Sequence, residues 1–542
     1  MSDPRRWWWL DPSGSIFGFG AAVLSVTPSL LPRPALFQGL ITAVAFSLGY
    51  LVGVLVWMAV RRFIRWRPVP VVRRRLWVAY AVVWTAALGI LSVLSVAWQN
   101  EVRRLVEMPP LDGAAVLVFL ASFVPTTLLL IAIGRSLRRL FVSLRARAGA
   151  TMGVLGAAAV AIAAGAGCVL AVALGIDAIY AERNAHPDSE VAEPSSEYRS
   201  AGAASAIQWA DVGRHGASFL AGGPTASEIT TLTGVPSVEP IRVYAGIASA
   251  ETLRERAELV VSELERTGAF ERAVLVVATT TGSGWLEPQT MDAVEYLHAG
   301  DTAIASLQYA YTPSWVSFVF DPDAPVAAAR VLFEAVERRW SQLPEEHRPM
   351  LISYGLSLGA HGSQAVFADL DEVRQRTDGA LFVGSPGGSA MWQTLQAARD
   401  EGTPAWQPVL DSGREVRWIS RHGDPIDGLW RQPRVLYLQH ATDPVTWLVP
   451  DLLWQAPEWL QPDQRGDDVS PSMHWVPVVT AIQVTVDMLG GEAVPARHGH
   501  NYGDVVTTGW WAVTGDGGLP ADAVERIRST IESYAPIPAY VE

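Results

Sequence analysis

Apolar positions follow two different rhythms along the 542-residue chain, and the change comes near residue 180. Before it lie five almost unbroken apolar runs, at roughly 16–32, 36–60, 76–98, 114–134 and 152–176. Each is about the length that a helix needs to cross hydrocarbon. The pattern predicts an α-helical transmembrane bundle over residues 1–180. Its first run is the weakest, because Pro28 and Pro32 stand near the run's end. Residues 181–205 are polar, small and uneven, and read as a linker.

From residue 206 to 542 short apolar runs alternate with amphipathic stretches. Strands are predicted at 241–245, 273–278, 302–309, 350–354, 380–383, 416–420 and 435–439, with helices at 251–266, 290–298 and 324–340. Strands alternating with helices imply parallel pairing, so this part is expected to be α/β, a doubly wound and mainly parallel sheet. In such sheets the active site lies beyond the carboxyl ends of the strands. Residues 446–496 depart from the pattern as a tryptophan-rich insertion carrying Trp447, Trp454, Trp459 and Trp475. Such a segment either packs as extra helices or caps a site, lines an acyl pocket or touches a bilayer. Trp510 and Trp511 are candidates for the same surface.

Charge sharpens the division. Residues 1–180 hold 17 arginines against 6 acids, a net of +11, and the remainder carries −24 of the whole-chain −13. The chain has no lysine. An acidic second part argues against a nucleic-acid partner. Arg61, Arg62, Arg65, Arg67, Arg73, Arg74 and Arg75 lie between runs two and three, and Arg135, Arg138, Arg139, Arg145 and Arg147 between runs four and five. Arginine-rich loops stay in the cytoplasm, which predicts a multi-pass protein of the cell membrane with everything after residue 180 extracytoplasmic. Arg5 and Arg6, followed by Trp7, Trp8 and Trp9, fit a cytoplasmic start with an interfacial anchor. The single cysteine, Cys168, excludes an internal disulfide and a cysteine metal cluster.

The densest chemical signal is Gly355-Leu356-Ser357-Leu358-Gly359. An apolar strand precedes it and a small-residue helical pattern follows, the context of a nucleophile elbow. Glycines two positions either side of the serine remove collisions that its strained backbone would cause. A serine nucleophile needs a base, and the base needs an orienting acid, in the chain order Ser, Asp or Glu, His. Asp443 and Asp424 both follow predicted strands as Asp-Pro turns, a context in which aspartate also serves structure alone. Asp443 is favoured because it ends the later strand, with Asp424 the alternative. The base is expected in Arg497-His498-Gly499-His500-Asn501-Tyr502-Gly503, with His500 favoured and His498 the alternative. The oxyanion hole is assigned by position to the backbone N–H groups of Leu358 and of the loop after strand 273–278, at Thr281. No cofactor and no metal site is expected, since no acidic or cysteine cluster joins the His-x-His pair.

Gly355–Gly359, Leu438–Val445 (Leu-Gln-His-Ala-Thr-Asp-Pro-Val) and His498–Gly503 together resemble the actinobacterial membrane-anchored α/β-hydrolase family, over nearly the whole chain. The resemblance implies an N-terminal multi-span region joined to a serine-hydrolase domain, without fixing a substrate. The Asp-Pro-Val and His-x-Tyr pieces are also similar to those of cutinase-like esterases, which supports Asp443 and His500. The expected function is a serine esterase or lipase acting on ester or lipid substrates at the cell envelope. An acyltransferase using the same triad is the alternative, and a non-catalytic membrane scaffold or transport protein the second. Few ionisable residues fall inside the apolar runs, which argues against ion-coupled transport.

Overall fold

A computed structural model describes residues 10–60, 70–148, 150–187, 191–503, 505–515 and 517–534. The arginines at 5, 6, 61, 62, 65 and 67 and the tryptophans at 7–9 lie outside the described residues, as does the side chain of Cys168. The chain divides into two compact units. One comprises Met1–Ala171 and Val469–Gln483, the other Val172–Asp468 and Val484–Glu542.

The first unit is helical: α1 (Pro12–Val26), α2 (Ala35–Val60), α3 (Pro70–Leu105), α4 (Ala114–Ala148) and the start of α5 (Ala150–Ala185). Among the described residues, Ala35–Val60, Val78–Leu105 and Ala114–Arg139 are long and apolar enough to cross a membrane. The first run falls short of the sequence expectation. Asp11 caps α1 through the Ser13 and Gly14 amides, and the helix stops at Val26, two residues before Pro28. Its 15 residues rise about 22 Å at 1.5 Å per residue, less than a hydrocarbon core of about 30 Å.

This unit is apolar outside and partly polar within. Leu36, Leu48, Leu51, Val83 and Leu128 are exposed, whereas Gln38, Thr42 and Arg33 are buried. The Arg33 amide donates to Gln99 Oε1 at 2.7 Å, and its guanidinium to the Gln483 carbonyl at 3.1 Å. Glu101 accepts from the hydroxyls of Ser470 and Ser472 at 2.5 and 3.0 Å. Part of the tryptophan-rich insertion therefore belongs to the helical unit.

The second unit is built on seven parallel strands: β1 (Ile241–Ala245), β2 (Val274–Thr279), β3 (Thr302–Leu307), β4 (Met350–Leu356), β5 (Gly379–Val383), β6 (Arg417–Ile419) and β7 (Arg434–Leu438). They lie in the order β1-β3-β2-β4-β5-β7-β6. Nearly every strand residue is buried, as expected where both faces of a parallel sheet are covered. One helix layer contains Leu253–Thr267, Ala324–Trp340 and Leu358–Gln364, and the other Pro288–Leu297, Val506–Thr514 and Ala521–Glu532. Central β4 pairs with β2, Thr279 opposite Gly355, and with β5, Leu356 opposite Val383. Three carboxyl ends thus meet around residue 357.

The expected linker is shorter than its composition suggests. α5 runs on to Ala185. Residues 198–200 then lie along the outer edge of β1, with Ser200 N donating to the Arg242 carbonyl at 3.0 Å and Arg242 N to the Tyr198 carbonyl at 3.1 Å. Arg199 is buried and donates to the Leu220 carbonyl at 2.7 Å. Unpaired edge groups of β1 hold this polar stretch, and composition does not register that.

Candidate active site

Ser357 stands between β4 and the helix Leu358–Gln364 with φ 57° and ψ −123°, a conformation that costs a non-glycine residue on the order of 1–3 kcal/mol. The flanking glycines make it possible. A Cβ on Gly355 would stand 2.2 Å from the Gly359 carbonyl carbon, and one on Gly359 2.2 Å from the Thr279 carbonyl oxygen. The Ser357 amide donates to the Val383 carbonyl at 2.9 Å, pinning the bend to β5. Leu358 opens the helix, so its N–H has no partner within the helix itself.

Ser357 and Leu358 line a cavity of about 110 Å³ together with His500, and Phe318, Leu448, Met488 and Leu489 make much of the remaining wall apolar. His500 reaches the cavity from a tightly turned loop. Arg497 and Gly499 have φ of 79° and 56°, and the His500 amide donates to the Gly491 carbonyl at 2.7 Å. Gly384, which follows β5, provides room for the ring, since a Cβ there would meet His500 Cε1 at 2.4 Å.

His500 Nδ1 donates to Asp443 Oδ2 at 2.8 Å. Asp443 is fully buried, and its other oxygen accepts from the Val445 amide at 2.9 Å. The Tyr502 hydroxyl donates to the same Oδ2 at 2.6 Å. Burial, reinforced by the Asp443 charge, pushes the Tyr502 phenol well above its ordinary value, so it stays protonated and able to donate. Buried Glu287 adds a second acid close by. Burial pushes its carboxyl up, opposed by the Thr290 hydroxyl and by the charge of His500.

Other sequence candidates lie elsewhere. Asp424 Oδ2 accepts from the Ser420 amide and hydroxyl and the Arg421 amide at 2.7, 3.1 and 3.2 Å, and so ties its own turn. His498 Nδ1 donates to Asp468 Oδ2 at 2.9 Å; Asp468 also accepts from the Thr442 hydroxyl at 3.0 Å, and that hydroxyl holds the Gly499 amide at 2.9 Å. His498 is thus a brace for the loop that carries His500. Thr281 requires a correction as an oxyanion donor. Its N–H donates to the Trp285 carbonyl at 3.0 Å within its own loop, and it does not line the cavity. The insertion tryptophans also divide. Trp447 and Trp459 are buried and stacked at 5.3 Å, whereas Trp454 is exposed. Trp510 is buried on Tyr354, ring centroids 5.4 Å apart, and shares no surface with half-exposed Trp511.

Residues 241–527 match the alpha/beta-hydrolase family, and residues 26–224 match that family's N-terminal region. The chain belongs to the alpha/beta-hydrolase family. No curated protein and no solved structure matches it. Family membership and the all-parallel sheet agree on a hydrolase-type fold, with the N-terminal helices as a recurrent part of the family. In this family member the sequence motif did not assign Tyr502 or Asp468 a role. Tyr502 lies within His498–Gly503, but only the fold brings its hydroxyl to Asp443.

Proposed function

We propose that this hydrolase-family protein is a membrane-anchored serine esterase or lipase, working through Ser357, His500 and Asp443. One observation carries the reading. A strained serine and a histidine face one apolar cavity, and the histidine's far nitrogen is held by a buried carboxylate. Because Asp443 accepts from Nδ1, Nε2 is the basic nitrogen. In the proposed reaction Ser357 Oγ attacks the ester carbonyl while its proton passes to Nε2. The Leu358 N–H stabilises the oxyanion. Collapse breaks the bond to the alcohol, which takes the proton from Nε2, and a water deprotonated by the same nitrogen then releases the acid. Three membrane-length helices support anchoring, and the arginine-rich loops support an extracytoplasmic active site.

A fluorophosphonate probe and p-nitrophenyl esters test the chemistry. Wild type is expected to be labelled and active, and Ser357→Ala neither. Equal labelling of both proteins, or of neither, overturns the reading. A reporter fused after residue 205 tests orientation, and activity confined to the cytoplasm would reverse it.

A further inference from the structure

The cavity has one wall residue that the hydrolase fold itself does not supply. Tyr180 lines it, and Tyr180 belongs to α5, the helix that contains the fifth apolar run. Two hydrogen bonds fasten this end of α5 within the second unit. The Tyr311 hydroxyl donates to Asp177 Oδ1 at 2.8 Å, and Gln308 Nε2 to Asn184 Oδ1 at 2.9 Å. Asp177 and Asn184 stand three residues before and four after Tyr180, so all three share one helix face. Gln308 is fully buried and fixed in turn, donating to the Ser283 carbonyl at 3.2 Å and accepting from the Ile247 amide at 3.2 Å. The position of Tyr180 is therefore built into the fold.

The helix also gives a depth. The fifth apolar run ends near residue 176, four residues before Tyr180, which is about 6 Å along a helix axis. The polar headgroup zone extends about 5–7 Å beyond the hydrocarbon on each side. If the fifth apolar run crosses the membrane, as its length predicts, Tyr180 falls at the headgroup level where tyrosine concentrates. Charge narrows the ligand further. Among the described residues that line the cavity none is an arginine and one, Glu492, is a carboxylate. The Arg183 guanidinium packs over the Tyr180 ring at 5.7 Å without joining that lining, so a phosphate would meet hydroxyls there but no cation.

We propose that the substrate is an uncharged acyl ester drawn from a bilayer, and that Tyr180 sets the acyl-chain length by closing one side of the pocket. This rests on the esterase reading above. The test uses the full-length protein in detergent with p-nitrophenyl esters from four to sixteen carbons. Tyr180→Ala is expected to move the optimum to longer chains and Tyr180→Trp to shorter ones, changing the long-to-short ratio of kcat/KM about tenfold in opposite directions. A loss of folding would depress all chain lengths together and could not produce opposite shifts. A second arm measures fatty-acid release from phosphatidylcholine vesicles carrying diacylglycerol. Diacylglycerol is expected to be cleaved at least tenfold faster than the host phospholipid. An unmoved optimum in a wild-type-like, Ser357-dependent enzyme overturns the role of Tyr180, and equal cleavage of the phospholipid overturns the uncharged substrate. Absence of any Ser357-dependent activity overturns the esterase reading instead.

Discussion

Tyr502 donates its hydroxyl to Asp443 at 2.6 Å, on the same carboxylate oxygen that accepts from His500. One oxygen thus serves two donors, and the phenol draws off charge that would otherwise favour the imidazolium. Tyr502→Phe leaves that charge to His500 alone, which raises the histidine pKa. The acid limb of the pH–rate profile is expected to move up by about half a unit or more, with kcat/KM at pH 6 falling several-fold and a smaller loss at pH 9. An acid limb that stays in place would show that the hydroxyl only packs.

Two aspartates follow strands, and their surroundings predict opposite outcomes. Asp443→Asn removes the acceptor that sets the His500 tautomer, and kcat is expected to fall by about 10³–10⁴. Among the described residues Asp424 holds Ser420 and Arg421 of its own turn. Asp424→Ala is expected to retain kcat while losing about 1–2 kcal/mol of stability, read from thermal unfolding. A reversal of these effects would move the acid to Asp424.

The bend at Ser357 trades stability for chemistry. Glycine adopts φ 57° without strain, so Ser357→Gly relieves about 1–3 kcal/mol, against roughly 0.4–1 kcal/mol of added chain entropy in the unfolded state. The variant is expected to lose probe labelling yet melt higher than wild type. A lower melting temperature would mean that the serine conformation stores no strain.

Much of this fold is legible in the sequence. All seven strands appear as short apolar runs, because a parallel sheet covered on both faces needs no polar positions. The elbow is legible because glycine at 355 and 359 is demanded by backbone contacts at 2.2 Å. What escaped depends on long-range placement or backbone direction. Nothing in the spacing sends the Thr281 amide to Trp285, sets Tyr502 against Asp443, or brings Tyr180 to the cavity of Ser357. Trp510 and Trp511 are neighbours in sequence, yet a step of about 100° around the helix separates core from surface.

His440 links stability to pH. It is fully desolvated and stacked 4.1 Å from Tyr502, and burial lowers its pKa to about 4. Its Nδ1 donates to the Gly499 carbonyl at 3.0 Å, and its buried Nε2 has no hydrogen-bond partner among the described residues. The unfolded chain takes up this proton near pH 6.5 and the folded protein near pH 4, so stability is complete above 6.5 and falls as pH drops between the two. The loss from this group is about 3 kcal/mol. His440→Gln is expected to flatten that part of the curve in thermal melts from pH 7 to 4. An unchanged slope would assign the acid sensitivity to other groups.

The helical unit offers a test of its own packing. α1 and α2 approach so closely that a Cβ on Gly53 would lie 2.6 Å from the Ser13 carbonyl oxygen, and one on Gly49 2.6 Å from the Phe17 carbonyl oxygen. Backbone atoms cannot yield as a side-chain tip can, so the helices must part. Where lipid replaces water, such close contact between small residues is a main source of helix association. Gly53→Ala is therefore expected to cost about 1–3 kcal/mol, measured by thermal unfolding in detergent. Gly89 in α3 faces open space. Gly89→Ala should be neutral or stabilise by up to about 1 kcal/mol through helix propensity alone. If both variants melt alike, the α1–α2 approach contributes nothing to the stability of the unit.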